Sequence, residues 1–442
     1  MSTEHTWTTW GKQHTAEVSQ ILTPRSVAEL QRIVADARER KSRIKVIGYS
    51  RSSSAIAQPS GTLVRLDFLT GITRVNREAG TATFLAGTSV RDANKALMHY
   101  GLAFENLGRL DEQSLAGAVA TGTHGTGISY GIMATQVAGL RMVTANGELL
   151  HCSADENPEI FRAALVGLGS LGIIVELTFN VVPLFRLHAA ERGHDYNKIV
   201  PAFEERSRGA DHYEFSWFPG ASDVRTRRLT RLPLMPDGYE PHYAQLSRAR
   251  RHGGDLLLNN GVHEGMLMLG AKAPSTQKAL NVIANWGKGN RRYADLAPQV
   301  FTVRRRVRQN NMEYAFDIAH LPAVLDELRE KLGDMRGELA YPLVVRTSAG
   351  DDLPLSPANG RTTGYISVRE YWRAPYLEEF TFIEEIFKDY GGRPHWGQLH
   401  TQDATSLSAV YPDFEAFVRL RDHLDPQGIF LNDYLEKVLL GQ

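Results

Sequence analysis

Thr121-Gly-Thr-His-Gly-Thr-Gly127 is the stretch on which the reading of this chain turns. It sits in a longer run, 106–131, rich in small residues and poor in charge. Tight turns of glycine expose backbone N–H groups, and such turns can cradle a phosphate or a polar ring. The stretch lacks the Gly-Lys-Ser/Thr ending of a P-loop. Two other segments share its texture. Gly48-Tyr-Ser-Arg-Ser-Ser-Ser54 follows a short predicted strand, and its turn and hydroxyls can hold a pyrophosphate without a lysine. Gly167-Leu-Gly-Ser-Leu-Gly172 spells GxGxxG. A dinucleotide fingerprint of that form follows a strand and opens a helix, whereas here a helix is predicted before it and a strand after, which argues against a Rossmann site. Any one segment taken alone reads better as a loop chosen for tight turns. Three beside strands in one region point to a single extended nucleotide cofactor.

Outward from these turns the elements are legible. Ser26 and Glu29 make a capping-box pattern, and Val27, Leu30, Ile33, Val34 and Ala37 follow at helical spacing, so a helix is predicted over 24–42. Strands are predicted over 43–48, 62–67, 72–77 and 81–86, a helix from Ser89 to Gly101, and strands on both sides of the turn at 144–147. Pro183 closes this block. The middle is richer in arginine and aromatics, with strands Tyr213–Phe218 and Asn311–Phe316 and a helix over 322–336; a helical tail follows from 408, and 236–262 reads as a long loop. At 442 residues the chain is too long for one core. Fifty basic and 50 acidic residues cancel, which speaks against nucleic acid as a partner. The single cysteine, Cys152, excludes an internal disulfide and a cysteine-rich metal site, and His395 with His400 falls short of the three ligands a metal site needs, so no metal is expected. No leader and no membrane-length apolar run is visible, so a cytoplasmic protein is expected.

The order of motifs is more specific than any one of them. Val46-Ile-Gly48, Ala86-Gly-Thr88, Asn106 to Gly117, Thr121 to Gly127, Val143-Thr-Ala-Asn-Gly147 and Gly169-Ser-Leu-Gly-Ile173 are followed by Arg393-Pro-His-Trp-Gly-Gln398, Asp425-Pro and Asn432-Asp-Tyr-Leu435. From about residue 7 to 440 the chain resembles the aldonolactone oxidase and alditol oxidase branch, gulonolactone oxidases included, of the vanillyl-alcohol-oxidase-like FAD proteins. The resemblance implies an α+β, two-domain fold of the PCMH type: an FAD-binding domain over 1–183 completed by 408–442, and an antiparallel-sheet cap domain over 184–407. It implies FAD as cofactor, gripped through Ile47, Gly48, Tyr49, Ser50, Arg51, Ser52, Ser53 and Ser54, lined by Ser114, Gly117, Thr121, Gly122, Thr123, His124 and Gly125, and touched by Gly172 and Ile173. It also implies an oxidase or dehydrogenase that takes a hydride from a CH–OH group of a polyol, aldonolactone or sugar acid, with dioxygen or another acceptor reoxidising the flavin.

Departures from the family pattern carry as much information. Arg51 stands where many relatives hold the histidine bonded to the flavin, and a guanidinium cannot form that bond; non-covalent FAD is expected, with Arg51 either on the pyrophosphate or in solvent. Gln398 replaces a common lysine, Val344 replaces a carboxylate two residues before Arg346, and Arg109 and Arg369 are new. Arginine forks suit a carboxylate or phosphate, so two of Arg109, Arg346 and Arg369 are expected either to grip an anionic substrate or to form structural ion pairs. His395 is left for acid–base work or for orienting the flavin. His124 reads as scaffold. The alternative is a flavin enzyme of a specialised pathway that acts on an anionic substrate and no longer oxidises alcohols.

Overall fold

A computed structural model describes residues 5–234, 263–277, 279–281, 289–303, 306–333 and 339–442. The loop expected over 236–262 lies outside them. The helix Val27–Glu39 starts where Ser26 accepts the Glu29 N–H at 3.2 Å while the Glu29 carboxylate reaches back to the Arg25 N–H at 2.8 Å. Its buried stripe of Leu30, Val34 and Ala37 packs on the parallel three-stranded sheet ordered Gln20–Leu22, Thr62–Arg65, Ile44–Ile47. A five-stranded antiparallel sheet stands beside it, ordered Leu149–Ser153, Val137–Val143, Ile173–Asn180, Thr81–Leu85, Ile72–Asn76. The GxGxxG turn feeds the strand Ile173–Asn180 and comes after the helix Pro158–Ala164, in the order the sequence predicts.

The middle of the chain builds one eight-stranded antiparallel sheet, ordered Arg291–Leu296, Arg186–Asp195, Asp223–Leu232, His212–Trp217, Leu343–Ser348, Thr363–Tyr371, Gln309–Asp317, Arg393–Pro394. Side chains alternate across a strand, and here the alternation separates two environments. Phe215, Trp217, Met312, Tyr314, Phe316, Val345, Ile366 and Val368 form an apolar core with the helices Leu321–Gly333 and Leu377–Asp389. Glu214, Arg227, Glu313, Arg346, Ser367 and Arg369 occupy the other face, and the pairs Glu214–Arg227, Glu313–Ser367 and Val344–Ser367 hold them in register.

The C-terminal segment returns to the first block. Asn432 Nδ2 donates to the carbonyls of Ala55, Ile56 and Gln58 at 3.0, 3.3 and 2.8 Å, and Asp425 accepts the N–H groups of Ile429 and Phe430 at 3.0 Å each. The Pro394–Gly397 turn packs on the same loop: Ser53 N–H donates to the Gly397 carbonyl at 2.8 Å and Ser54 Oγ to the Trp396 carbonyl at 2.7 Å. No helix among the described residues is long and apolar enough to cross a membrane.

Candidate active site

A cavity of about 580 Å³ is lined by Lys45, Val46 and Leu63 of the three-stranded sheet and by Ile173 and Ile174 of the five-stranded sheet. It takes in Ile47, Gly48, Tyr49, Ser50, Arg51 and Ser52 from the first loop, Ser114, Gly117 and Thr121 from the short helix Leu115–Ala120 and its caps, and Gly172 and Ile173. Its walls require small residues. A Cβ at Gly48 would strike Ser114 Oγ, and one at Gly172 would strike Met142 and stand 2.7 Å from the Val143 carbonyl oxygen. The cavity also holds a buried ammonium, Lys45, whose one hydrogen bond in the structure is a 3.5 Å contact to the Phe430 carbonyl. A small-walled cavity with an under-used buried donor fits an anionic dinucleotide such as FAD.

A second pocket of about 110 Å³ joins the first, and Arg51, Ser52, Gln113 and Thr121 line both. Ser53, Thr123 and His124 line this smaller pocket, together with Arg109, Glu313, Arg346, Arg369, His395 and Gln398. Ser54, Gly122 and Gly125 line neither cavity. Ser54 instead ties the loop to Trp396, Gly122 adopts φ +71°, and Gly125 lies so close to Asn106 and Leu107 that a Cβ would come within 2.5 Å of their oxygens. Arg51 is not in solvent: its side chain is 7% exposed, stacked 4.1 Å over the Trp10 ring and ion-paired with Glu112.

The eight-stranded sheet carries a row of alternating charge that ends in this pocket at Arg346 and Glu313. Arg291 pairs with Glu191 at 2.6 Å, Arg227 lies 3.7 Å from Glu191 and 3.3 Å from Glu214, and Arg346 lies 3.1 Å from Glu214 and 4.0 Å from Glu313. Glu313 completes the row by accepting from His124 Nε2 at 2.9 Å and from Gln398 Nε2 at 3.2 Å. Burial alone would raise the Glu214 and Glu313 carboxyls. The arginines around Glu214, and His124, His395 and Arg346 around Glu313, override it and hold both well below the usual carboxylate range. The other ring nitrogen of His124 faces the Gly125 carbonyl at 2.9 Å, and the ring stacks on Tyr365 at 3.6 Å.

The sequence-predicted arginines divide. Arg109 and Arg346 converge on Glu214, at 3.6 and 3.1 Å, which is the structural alternative for this pair. Arg369 has no carboxylate within 4.0 Å among the described residues; it donates weakly to the Pro342 carbonyl at 3.4 Å, and its Nε has no partner. Burial, with repulsion from Arg346 and Arg109, lowers its guanidinium to about 10. His395 is buried and pushed down to about 4, hence neutral. Its Nδ1 accepts the Gly397 N–H at 3.1 Å, so the neutral ring carries its proton on Nε2 and offers a donor. Glu214 and Glu313 are the residues the motif reading missed, although the alternation in Tyr213-Glu-Phe-Ser-Trp217 and Met312-Glu-Tyr-Ala-Phe316 places both on the polar face. They supply the negative charge that Val344 had seemed to remove. Among the described residues no cluster of three metal-ligating side chains occurs.

A profile of D-arabinono-1,4-lactone oxidases matches residues 177–438, and one of FAD binding domains matches 18–153. The chain belongs to the D-arabinono-1,4-lactone oxidase family. It is 34% identical to an L-gulono-1,4-lactone dehydrogenase of Mycobacterium tuberculosis, covering 98% of this chain and 99% of that one. It is 31% identical to the L-gulonolactone oxidase of Bos taurus, with 97% of each chain covered, and 28% identical to an alditol oxidase of a Streptomyces species, with 98% and 99% covered. A cholesterol oxidase crystal structure from Brevibacterium sterolicum superposes with a TM-score of 0.81 over 99% of this chain and 97% of that one, at 17% identity. This family member therefore has the α+β, PCMH-type FAD-binding fold with a sheet-rich second domain that the sequence leads one to expect.

Proposed function

We propose that the chain is an FAD-dependent oxidoreductase that oxidises a CH–OH group of a sugar-derived small molecule, holds FAD without a covalent bond, and favours substrates bearing a carboxylate. In this reading residues 1–183 and 408–442 hold the cofactor, and 184–407 hold the substrate. The observation that carries it is the junction of the two cavities at Arg51, Ser52, Gln113 and Thr121. A long cavity that suits a dinucleotide opens there onto a small one rich in hydrogen-bonding groups, so the reacting ends of cofactor and substrate meet at the seam. FAD, when bound, supplies the hydride acceptor. The protein orients the substrate: His395 Nε2 and the arginines donate to its oxygens, and Glu313 and the partnerless Gln398 Oε1 accept from its hydroxyls.

Non-covalent attachment is supported by the lining of the larger cavity, which among the described residues has Arg51 and neither a histidine nor a cysteine. Preference for an anion is supported by Arg369, which lacks an opposite charge while Arg109 and Arg346 already share Glu214. The test is anaerobic titration of the yellow protein with an aldonolactone, an alditol and a sugar acid, followed by acid precipitation. The expected outcome is loss of the flavin's visible absorbance, fastest with the sugar acid, and free FAD in the supernatant. Flavin that no alcohol reduces would overturn the reaction, flavin retained in the pellet the non-covalent bond, and a faster neutral substrate the anion preference.

A further inference from the structure

We propose that Lys45 is a ligand of the ADP half of the dinucleotide, and that its amine takes up a proton as the dinucleotide binds. The inference rests on the FAD reading above. Lys45 lies on the strand Ile44–Ile47, is 5% exposed, and lines the larger cavity. An ammonium has three donors to place, and the structure gives this one a single long contact, to the Phe430 carbonyl at 3.5 Å.

The elements around it carry charge, but that charge is engaged elsewhere. Arg43 pairs with Glu436 and Asp433, Arg65 pairs with Asp67 at 2.8 Å, Asp425 accepts from the Ile429 and Phe430 N–H groups, and Glu17 is held by Thr6 at 3.2 Å. Among the described residues no carboxylate stands within 4.0 Å of Lys45 Nζ. A buried strand position does not retain a lysine for packing alone, because an apolar chain of that length fills the space at no desolvation cost. The missing partner is therefore an acceptor that enters the cavity. Lys45 is absent from the seam shared with the smaller pocket, where the reacting ring must lie. The diphosphate or adenine end is what remains.

Burial lowers Lys45 to about 7 in the structure without a ligand. Contact with an anionic or lone-pair acceptor favours the charged form and raises it. The sign then follows from linkage: affinity is fully present below about pH 7 and falls as pH rises above it, by up to about tenfold per pH unit, until the raised value of the complex is reached.

The experiment is calorimetric titration of the FAD-depleted full chain with FAD, ADP and riboflavin, at pH 6.5 and 8, in buffers of different ionisation enthalpy. FAD and ADP should each take up a substantial fraction of a proton at pH 8, whereas riboflavin should take up none. Lys45→Met should bind FAD about tenfold or more weakly at pH 6.5, with no uptake. The wild-type buffer dependence stands on its own if that variant does not fold. FAD and ADP binding with no proton uptake, or uptake with riboflavin alone, would overturn the proposal. So would undiminished FAD affinity in a folded Lys45→Met protein. A wild-type chain that binds no FAD at all would instead remove the cofactor reading beneath it.

Discussion

Arg369 and Arg346 are both arginines on the polar face of one sheet, yet the structure gives them different work. Arg346 is held between Glu214 and Glu313, so its charge is met within the protein. Arg369 is at least as buried and meets no carboxylate within 4.0 Å among the described residues; the Tyr341 ring lies 5.8 Å from its guanidinium. A buried charge without a counter-charge is costly, and a substrate carboxylate would offset that cost. Arg369→Met should therefore lower kcat/KM for a sugar acid by about 10- to 100-fold, with a change in a neutral alditol of no more than about twofold. Steady-state kinetics on the two substrates decide it, and equal losses on both would remove Arg369 from specificity. Glu313→Gln makes a different prediction. It leaves His124 without its carboxylate and Arg346 with Glu214 alone, and removing one partner of a buried pair costs roughly 3–5 kcal/mol. Chemical denaturation should show that loss whether or not substrate is present.

At the scale of elements, what the sequence revealed and what it hid have separate physical causes. Caps and turns are local, so Ser26, Ser89, Gly101 and the reversed GxGxxG could be read from a few neighbouring residues, and the elements of the first block fall within a few residues of their predicted positions. The smaller pocket is not local. Glu214 and Arg346 meet because strands 132 residues apart are neighbours in the sheet. Matching motifs position by position registered a lost acid at Val344 and could not register the carboxylate on the next strand. Period-two alternation was the available signal, since it places Glu214 and Glu313 opposite the apolar face. Ser54, Gly122 and Gly125 teach a related lesson: a loop around a cofactor also needs residues that shape it from behind. Asn432 acts at this scale too. Its side chain is buried and holds three carbonyls of the 55–58 segment as well as the Leu435 N–H. Asn432→Ala should cost about 2–4 kcal/mol in urea unfolding and speed FAD release, measured by recovery of flavin fluorescence on dilution. Unchanged release would show that the tail does not support the loop.

Across the whole molecule, buried histidines couple folding to acid. Burial lowers His212 to about 4, and its ring is held by the Thr126 carbonyl at 2.7 Å and by Arg231 at 3.3 Å. The unfolded chain binds that proton near 6.5 and the folded chain does not, so the contribution is complete above about 6.5 and is lost as pH falls towards 4. Glu370, raised by burial to about 7, and Asp351, raised by burial to about 6, pull the other way over an overlapping range. The clean measurement is therefore a comparison: His212→Asn should lose less stability than the parent between pH 6.5 and 4, by on the order of 2–3 kcal/mol. Parallel curves would mean that His212 titrates normally in the fold.

The hold of Asn432 on the 55–58 segment, and of Trp396 and Gly397 on Ser53 and Ser54, also bears on how the protein is made. Residues 48–58 leave the ribosome early, but the groups that brace them, and the Phe430 carbonyl beside Lys45, emerge only about 340 to 385 residues later. Until then the cradle lacks those braces, so flavin capture is expected to follow completion of the chain. In cells short of flavin, newly released molecules would accumulate as a fully synthesised, colourless pool awaiting cofactor.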